Sequence, residues 1–273
     1  MHISNYRYLL LPLEISRRIM SFANKVVIVT GASSGIGAAA AVLFATEGAR
    51  VVMVGRNQSK LTKVAEQCAR GGQAPLVIRA DLANDDDIKR IVDETVNKFG
   101  KIDVLVNNAG MAIYGGVLSG NILKAYDETM AVNLRAVVHL TALAAPYLVK
   151  TKGNIVNISS IAGKMVLKAE YLPYSVSKAA LDHFTRGAAL ELASSGVRVN
   201  GISPGPVKTD FIENTGMSEV TWDIMSNAFP LKRCSEPEEI AELILYLASD
   251  KAKGITGSDF VSDNGGLLQY IPA

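Results

Sequence analysis

Apolar positions follow two rhythms along this chain. Six short runs are apolar at nearly every position, at residues 25–30, 51–54, 76–78, 104–107, 155–158 and 197–200, and a seventh candidate lies at 260–262. Continuous β-branched runs of that length read as strands buried on both faces of a sheet. Between them the apolar residues return at three and four spacing, which predicts helices over 36–47, 59–70, 85–99, 123–150, 174–194 and 237–249. Strand and helix alternate throughout, the pattern of an α/β protein whose parallel sheet carries helices on both faces. No repeat or low-complexity linker interrupts the alternation, so one domain is expected over 22–273, behind an N-terminal extension of residues 1–21. The stretch 205–229 breaks the rhythm with Gly, Pro, Ser and Asn mixed among Met217, Trp222, Met225 and Phe229. It is expected to run, partly helical, over the carboxyl edge of the sheet, where open α/β sheets bind ligands.

Composition narrows the function. With 273 residues, 49% hydrophobic and 20% charged, the chain is long and apolar enough for a sizeable core. Lys plus Arg number 28 against 26 Asp plus Glu, with no basic run, so no electrostatic footprint for nucleic acid is present. Cys68 and Cys234 have no CxxC spacing, and His2, His139 and His183 lack metal-ligand spacing. A reducing, cytoplasmic setting without a metal is expected. The apolar run at 8–13 is far shorter than the roughly 20 residues that span a bilayer, so no membrane span is expected there. Arg7, Arg17 and Arg18 against one acid, Glu14, leave mitochondrial targeting as an alternative.

Thr30-Gly31-Ala32-Ser33-Ser34-Gly35-Ile36-Gly37 follows the first strand and opens the first helix. Glycines there let the backbone turn tightly and approach a pyrophosphate, whose charge meets the unpaired N–H groups of a helix N-terminus. The same residues satisfy GxSxG, which would make Ser33 a hydrolase nucleophile. That reading also requires a catalytic histidine on a late loop, whereas His139 and His183 fall inside predicted helices. Further along, Tyr174 and Lys178 stand at i and i+4, which stacks a phenol and an ammonium on one helix face. A strand ending in Ser159-Ser160 and another ending in Asn107-Asn108-Ala109-Gly110 reach the same edge of the sheet.

Taken together, TGASSGIG, ADLAND, NNAG, Asn133 in MAVNLRA, NISS, YSVSK and SPGPVKTD, in that order over roughly 22–266, resemble the compact branch of the short-chain dehydrogenase/reductase family. Late pieces such as PEEI, LASD and ITG are similar to its β-ketoacyl carrier-protein reductases and hydroxysteroid dehydrogenases. The resemblance implies a Rossmann-like, doubly wound sheet of seven parallel strands and a catalytic set of Asn133, Ser160, Tyr174 and Lys178. It also implies cofactor contacts from Gly31, Ser33, Ser34, Gly35, Ile36, Gly37, Arg56, Asn57, Asp81, Leu82, Asn108, Ala109, Gly110, Tyr174, Lys178, Pro204, Gly205, Val207 and Thr209. In one departure, the stretch from Ser160 to Tyr174 is a residue longer than is usual and holds Lys164, Lys168 and Glu170.

Reducing a ketone with a nicotinamide needs a proton for the developing alkoxide, and Tyr174 fits that task. Bringing a phenol of pKa near 10 close to 7 is a shift of about 3 units, roughly 4 kcal/mol. A cation about 4 Å away at an effective dielectric of 20 supplies about that much, so Lys178, helped by the positive oxidised cofactor, suffices in principle. By resemblance Lys178 also holds the nicotinamide ribose, Ser160 donates to the carbonyl oxygen and Asn133 positions a water. The second strand ends Val54-Gly55-Arg56-Asn57: Gly55 stands where an acid would favour NAD, and Arg56 suits a 2′-phosphate, so NADP(H) is expected. Met111, Ile113, Tyr114, Val166, Tyr171, Met217, Trp222 and Met225 predict an adaptable apolar pocket without fixed charge. It suits a ketosteroid such as a 3-oxo-steroid or ecdysteroid, another lipophilic ketone, or a 3-oxoacyl chain. A non-catalytic NADPH-binding regulator is the alternative to an enzyme. The helices 123–150 and 174–194 carry more apolar residues than one sheet face covers, and relatives pair such helices across two-fold axes, so a homotetramer is expected.

Overall fold

The computed structural model describes residues 21–211 and 222–268. Seven strands, β1 (Val26–Thr30), β2 (Arg50–Gly55), β3 (Leu76–Arg79), β4 (Val104–Asn107), β5 (Asn154–Ile158), β6 (Arg198–Pro204) and β7 (Asp259–Ser262), form one sheet in the order β3-β2-β1-β4-β5-β6-β7. Every pairing is parallel. Alternate side chains of the strands feed two cores. Val27, Val29, Val51, Met53, Val106 and Val156 pack beneath α1 (Gly35–Thr46), α2 (Gln58–Gly71) and α8 (Pro237–Ala248). Ile28, Val52, Val54, Leu105, Ile155 and Val199 pack beneath α3 (Asp85–Phe99), α5 (Ala136–Thr151) and α6 (Leu172–Leu192). Burial on both faces is why these strands carry no apolar–polar alternation. Among the described residues the remaining α-helices are α4 (Ile122–Met130) and the short α7 (Trp222–Asn227).

Two elements differ from their expected form, and both differences shape the site. The helix expected over 123–150 is broken by a π-helical turn, Ala131–Arg135, between α4 and α5, which turns Asn133 inward to complete burial. β6 runs on to Pro204 instead of ending at 200. Polar residues at its end obscured that extension, because they are paired with the segment leading into and forming β7. Asn200 donates to the Ile255 carbonyl at 2.9 Å and Ser203 to Asp259 at 2.7 Å. Counted through the π turn, Ile122–Thr151 is long and apolar enough to cross a membrane by length and composition alone. Here Leu140, Ala144 and Leu148 are buried with Leu105 and Ile155, so that apolar face belongs to the core.

β1 has β2 on one side and β4 on the other, so the chain winds outward in both directions from this pair. The crevice beyond their carboxyl ends is the place where a doubly wound sheet can admit a ligand between diverging loops.

Candidate active site

A cleft of about 590 Å³ opens there. Its floor is the glycine loop. Gly31 has φ +68°, and a Cβ on it would lie 2.7 Å from Asn108 Nδ2 and 2.9 Å from the Ala109 backbone. Only glycine permits that conformation together with that approach. Thr30 Oγ1 accepts from Asn108 N at 3.0 Å and Ala109 N at 3.1 Å, while Asn108 Nδ2 donates to Thr30 O at 2.8 Å. The loops after β1 and β4 are thereby fixed to each other. Helix α1 begins with no side-chain cap and no acid in its first turn. Ser34, Gly35 and Ile36 line the cleft, so the positive end of α1 faces a space able to hold an anionic pyrophosphate.

Among the cofactor residues expected from sequence, Gly31, Ser33, Ser34, Gly35, Ile36, Arg56, Asp81, Leu82, Asn108, Ala109, Gly110, Pro204, Gly205, Val207 and Thr209 line this cleft. Two expected residues do not. Gly37 is a packing glycine, since a Cβ on it would sit 2.4 Å from both Asn108 Nδ2 and Gly31 O. Asn57 is the cap of α2, its Oδ1 accepting from Lys60 N at 3.0 Å. Arg56 is exposed and joins Arg79, Asp81 and Asp87 around a neighbouring hollow.

The chemical groups converge on the other side. Pro173 in the first turn of α6 starts the helix that presents Tyr174 and Lys178, 8% and 3% exposed, to the cleft. Lys178 Nζ donates to Ile158 O at 2.8 Å and lies 5.6 Å from the Tyr174 ring centroid. Ser160 and Tyr174 line the same side of the cleft, where Ser160 acts to lower the Tyr174 pKa, and Ser160 Oγ accepts from Ala162 N at 3.1 Å. Ser159 also lines the cleft, but its hydroxyl is committed to the Lys178 carbonyl at 3.3 Å. Asn133 does not line the cleft. Its Oδ1 accepts from Met111 N and its Nδ2 donates to Met111 O, both at 2.8 Å, and Nδ2 also reaches Ser177 Oγ at 3.0 Å. A Cβ on Gly110 would stand 3.5 Å from both Asn133 Oδ1 and Lys178 Nζ, so the two side chains flank that glycine.

Burial governs the protonation of this group. It pushes the Tyr174 phenol up to about 12, with Ser160 only partly opposing it. It also pulls the Lys178 ammonium down to about 8, against the field of Asp182. The ammonium therefore does not make the phenol labile by itself, contrary to the simple Coulomb estimate. Desolvation is the dominant influence on both groups.

The substrate side also corrects expectation. Met111, Tyr171 and Met225 line the cleft, whereas Ile113, Tyr114, Val166 and Trp222 do not, and Met217 lies outside the described residues. Val166 is 68% exposed, and Tyr114 stands behind Tyr171, edge-on at 5.0 Å between centroids. Sequence reasoning missed Met165, Leu167, Lys168, Phe211 and Phe229, which complete the wall. Lys168 puts a cation on a lining expected to have none. Of these Phe211 and Phe229 had a positional signal, both lying in the stretch 205–229 expected over the carboxyl edge, with Phe211 one residue past SPGPVKTD. Among the described residues the hydrolase reading finds no histidine base, because His139 contacts Asp85, His183 contacts Arg186, and neither lines the cleft with Ser33.

A switch-point cleft joining a phosphate loop to a buried Tyr and Lys and a half-buried Ser marks a dinucleotide-binding α/β protein. Comparison with known proteins narrows that class. The family model described as Enoyl-(Acyl carrier protein) reductase matches residues 31–266. The chain is similar to Glucose 1-dehydrogenase of Gluconobacter oxydans, 38% identical over 254 residues covering 91% of this chain and 94% of that one. It is similar to the 3-oxoacyl-[acyl-carrier-protein] reductase of Thermotoga maritima, 37% identical over 91% of this chain and 100% of the other. A short-chain dehydrogenase/reductase of Caenorhabditis elegans, crystallised with cofactor, superposes with TM-score 0.87 at 38% identity, covering 92% and 97% of the two chains. The chain belongs to the short-chain dehydrogenase/reductase family and is an oxidoreductase of that type, with a nicotinamide cofactor.

Proposed function

We propose that the protein uses NADP(H) to interconvert a lipophilic ketone and its secondary alcohol, with Tyr174 as general acid in reduction and general base in oxidation. The convergence of Tyr174, Ser160 and Lys178 in the cleft that also holds the phosphate loop carries this reading. The bound nicotinamide supplies or accepts the hydride. Ser160, whose oxygen already accepts from Ala162 N, keeps its proton for the carbonyl oxygen. The Tyr174 hydroxyl, beside that oxygen, delivers a proton to it. Lys178, held by the Ile158 carbonyl, grips the nicotinamide ribose and replaces the proton. Asn133 clamps the Met111 backbone, and a second lone pair on its Oδ1 serves a water on the Gly110 side.

NADP over NAD rests on Arg56 at the end of β2 and on Gly55, where an acid would otherwise meet the ribose 2′-hydroxyl. Lipophilic substrates, including ketosteroids and 3-oxoacyl chains, fit a wall made of Met111, Met165, Leu167, Tyr171, Phe211 and Phe229. Partly exposed Leu123, Tyr126, Val138 and Val149 on α4 and α5, with Val176 and Leu190 on α6, support a homotetramer built on those helices. Two buried free thiols, Cys68 and Cys234, suit a reducing compartment such as the cytoplasm. Following NADPH absorbance against a panel of lipophilic ketones tests the activity. Turnover of at least one ketone, with NADH much poorer, is expected; tight NADPH binding with no turnover of any would favour a regulator.

A further inference from the structure

One helical turn beyond Lys178 lies a charge that the proposed chemistry does not use. Tyr174, Lys178 and Asp182 occupy positions i, i+4 and i+8 of α6 and share one buried face. Asp182 is 7% exposed, and its Oδ1 is buried with no hydrogen-bond partner. Its Oδ2 accepts from Lys164 Nζ at 3.0 Å. Lys164 Nζ also lies 2.7 Å from Asp259 Oδ2 on β7, and the other oxygen of Asp259 accepts from Ser203 at 2.7 Å. Lys164 directly follows the short turn Ile161–Gly163 that begins at Ser160. That turn is pressed onto α6: a Cβ on Gly163 would sit 2.9 Å from Ala179 N and 3.2 Å from Asp182 Oδ2. The result is a compact set of two lysines and two carboxylates behind the catalytic face, balanced in charge.

We propose that Asp182 is a positioning residue shared by two lysines: its carboxylate keeps Lys178 charged, and Lys164 sets how much of that field Lys178 feels. Burial alone disfavours the Lys178 ammonium, so a nearby anion is needed to keep it populated at neutral pH. Asp182 opposes the fall that burial imposes on Lys178. On Lys164, burial also acts downward, but the Asp259 and Asp182 carboxylates more than offset it and its pKa is raised. Other neighbours of Lys178 supply no competing buried charge among the described residues. On α4, Lys124, Asp127 and Glu128 are exposed, and Arg135 of the π turn pairs with Asp85. On α6, His183 and Arg186 are exposed and contact each other, and on β6 Arg198 donates to the carbonyls of Leu247, Ser249 and Ile255. Tyr174 is held protonated by burial.

The shared carboxylate predicts opposite effects from its two sides. Asp182→Asn removes the anion and should lower the Lys178 pKa, whereas Lys164→Met releases the whole carboxylate field and should raise it. Two measurements read this. In the holoenzyme, the basic limb of kcat/KM for ketone reduction should move down in Asp182→Asn. A one-unit shift gives about tenfold less activity than wild type at pH 9 with little change at pH 6. In Lys164→Met the limb should move up, with roughly two- to threefold more activity at pH 9 for a half-unit shift. In the cofactor-free protein, the denaturant midpoint should begin its rise with pH earlier in Asp182→Asn and later in Lys164→Met. This second readout does not depend on turnover, so a protein inactive on every ketone would refute the proposed function while leaving the charge sharing testable. Each variant is decisive alone if the other fails to fold. Equal losses at all pH values, with neither the rate limb nor the stability profile displaced, would show a mere tether and overturn the proposal.

Discussion

The two halves of the cleft are built on different principles. The cofactor half is made of backbone. Gly31, Gly35, Asn108 and Thr30 sit in strand-end loops whose glycines cannot carry a side chain and whose polar groups fix one loop to the next. The substrate half is made of side chains from separate segments, with Met165, Leu167 and Lys168 from the stretch after Ser160, Phe211 after β6, and Met225 and Phe229 on or beside α7. Backbone constraints leave short contiguous sequence patterns, whereas a wall assembled from loops leaves none. An enzyme so divided can keep one hydride chemistry while changing what it acts on.

The sharpest way to break this division is at the residue standing between the halves. Tyr174→Phe should lower turnover by at least 10²-fold, the usual size of a lost general acid, with NADPH affinity nearly unchanged. Steady-state kinetics beside cofactor titration checks it, and normal turnover would remove Tyr174 from the mechanism.

Lys178, in its proposed proton-relay role, carries a cost in stability, which can be measured. Its folded pKa of about 8 lies below the ordinary 10.5. Between those values the unfolded chain binds more protons than the folded one, so stability rises with pH across that window. Below pH 8 the fold carries the full cost of a buried ammonium, about 3 kcal/mol at 1.36 kcal/mol per unit. Lys178→Met should therefore be inactive but more stable than wild type at pH 7, with the difference shrinking as pH approaches 10.5. Chemical denaturation at a series of pH values reads it. A destabilised Met variant would mean that the bond to the Ile158 carbonyl outweighs the desolvation.

Cofactor choice sharpens the contrast within the legible half. Arg56→Ala should weaken NADPH by about 1.5 to 3 kcal/mol and leave NADH nearly unchanged, because only the phosphate uses the guanidinium. Gly55→Asp should move preference toward NADH by placing a carboxylate where the phosphate would lie. A Cβ there would be 3.3 Å from Leu61 Cδ2 and 3.4 Å from Ser33, so those neighbours need yield only slightly. Specificity constants for both cofactors with one fixed ketone decide it.

What the sequence disclosed follows the same division. The five inner strands were legible because burial on both faces writes uninterrupted β-branched runs, whereas the edge strands β3 and β7 are only partly buried and leave shorter runs. β6 was cut short before Ser203, which satisfies its hydroxyl on Asp259 of β7. The phosphate loop, Ser160, Tyr174 and Lys178 were legible as contiguous patterns at strand and helix ends. The π turn at Asn133 was not, since a one-residue widening of a helix barely disturbs apolar spacing. Asn57 and Gly37, expected as cofactor contacts, stand outside the cleft lining, and their cap and packing roles show that capping and close packing select the same residue types as ligand contact does. Val166 and Lys168 exchanged places. In the irregular stretch between Ser160 and Tyr174 no period says which side chain turns inward.

That exchange leads to the smallest effect. Lys168 lines the cleft beside Met165, Leu167 and Tyr171, and no ion pair holds its ammonium among the described residues. An exposed cation at the rim of an apolar wall can contribute only about 0 to 1 kcal/mol to binding a partner charge, screened by salt. A ketone with a lipophilic body and an anionic tail should therefore lose up to about fivefold in KM on Lys168→Met, with kcat unchanged. The methyl ester of the same compound should lose nothing. Comparing acid and ester at low and high salt isolates the charge: a loss shared by both compounds would instead assign Lys168 a packing role, its aliphatic stem covering the neighbouring methionine and leucine.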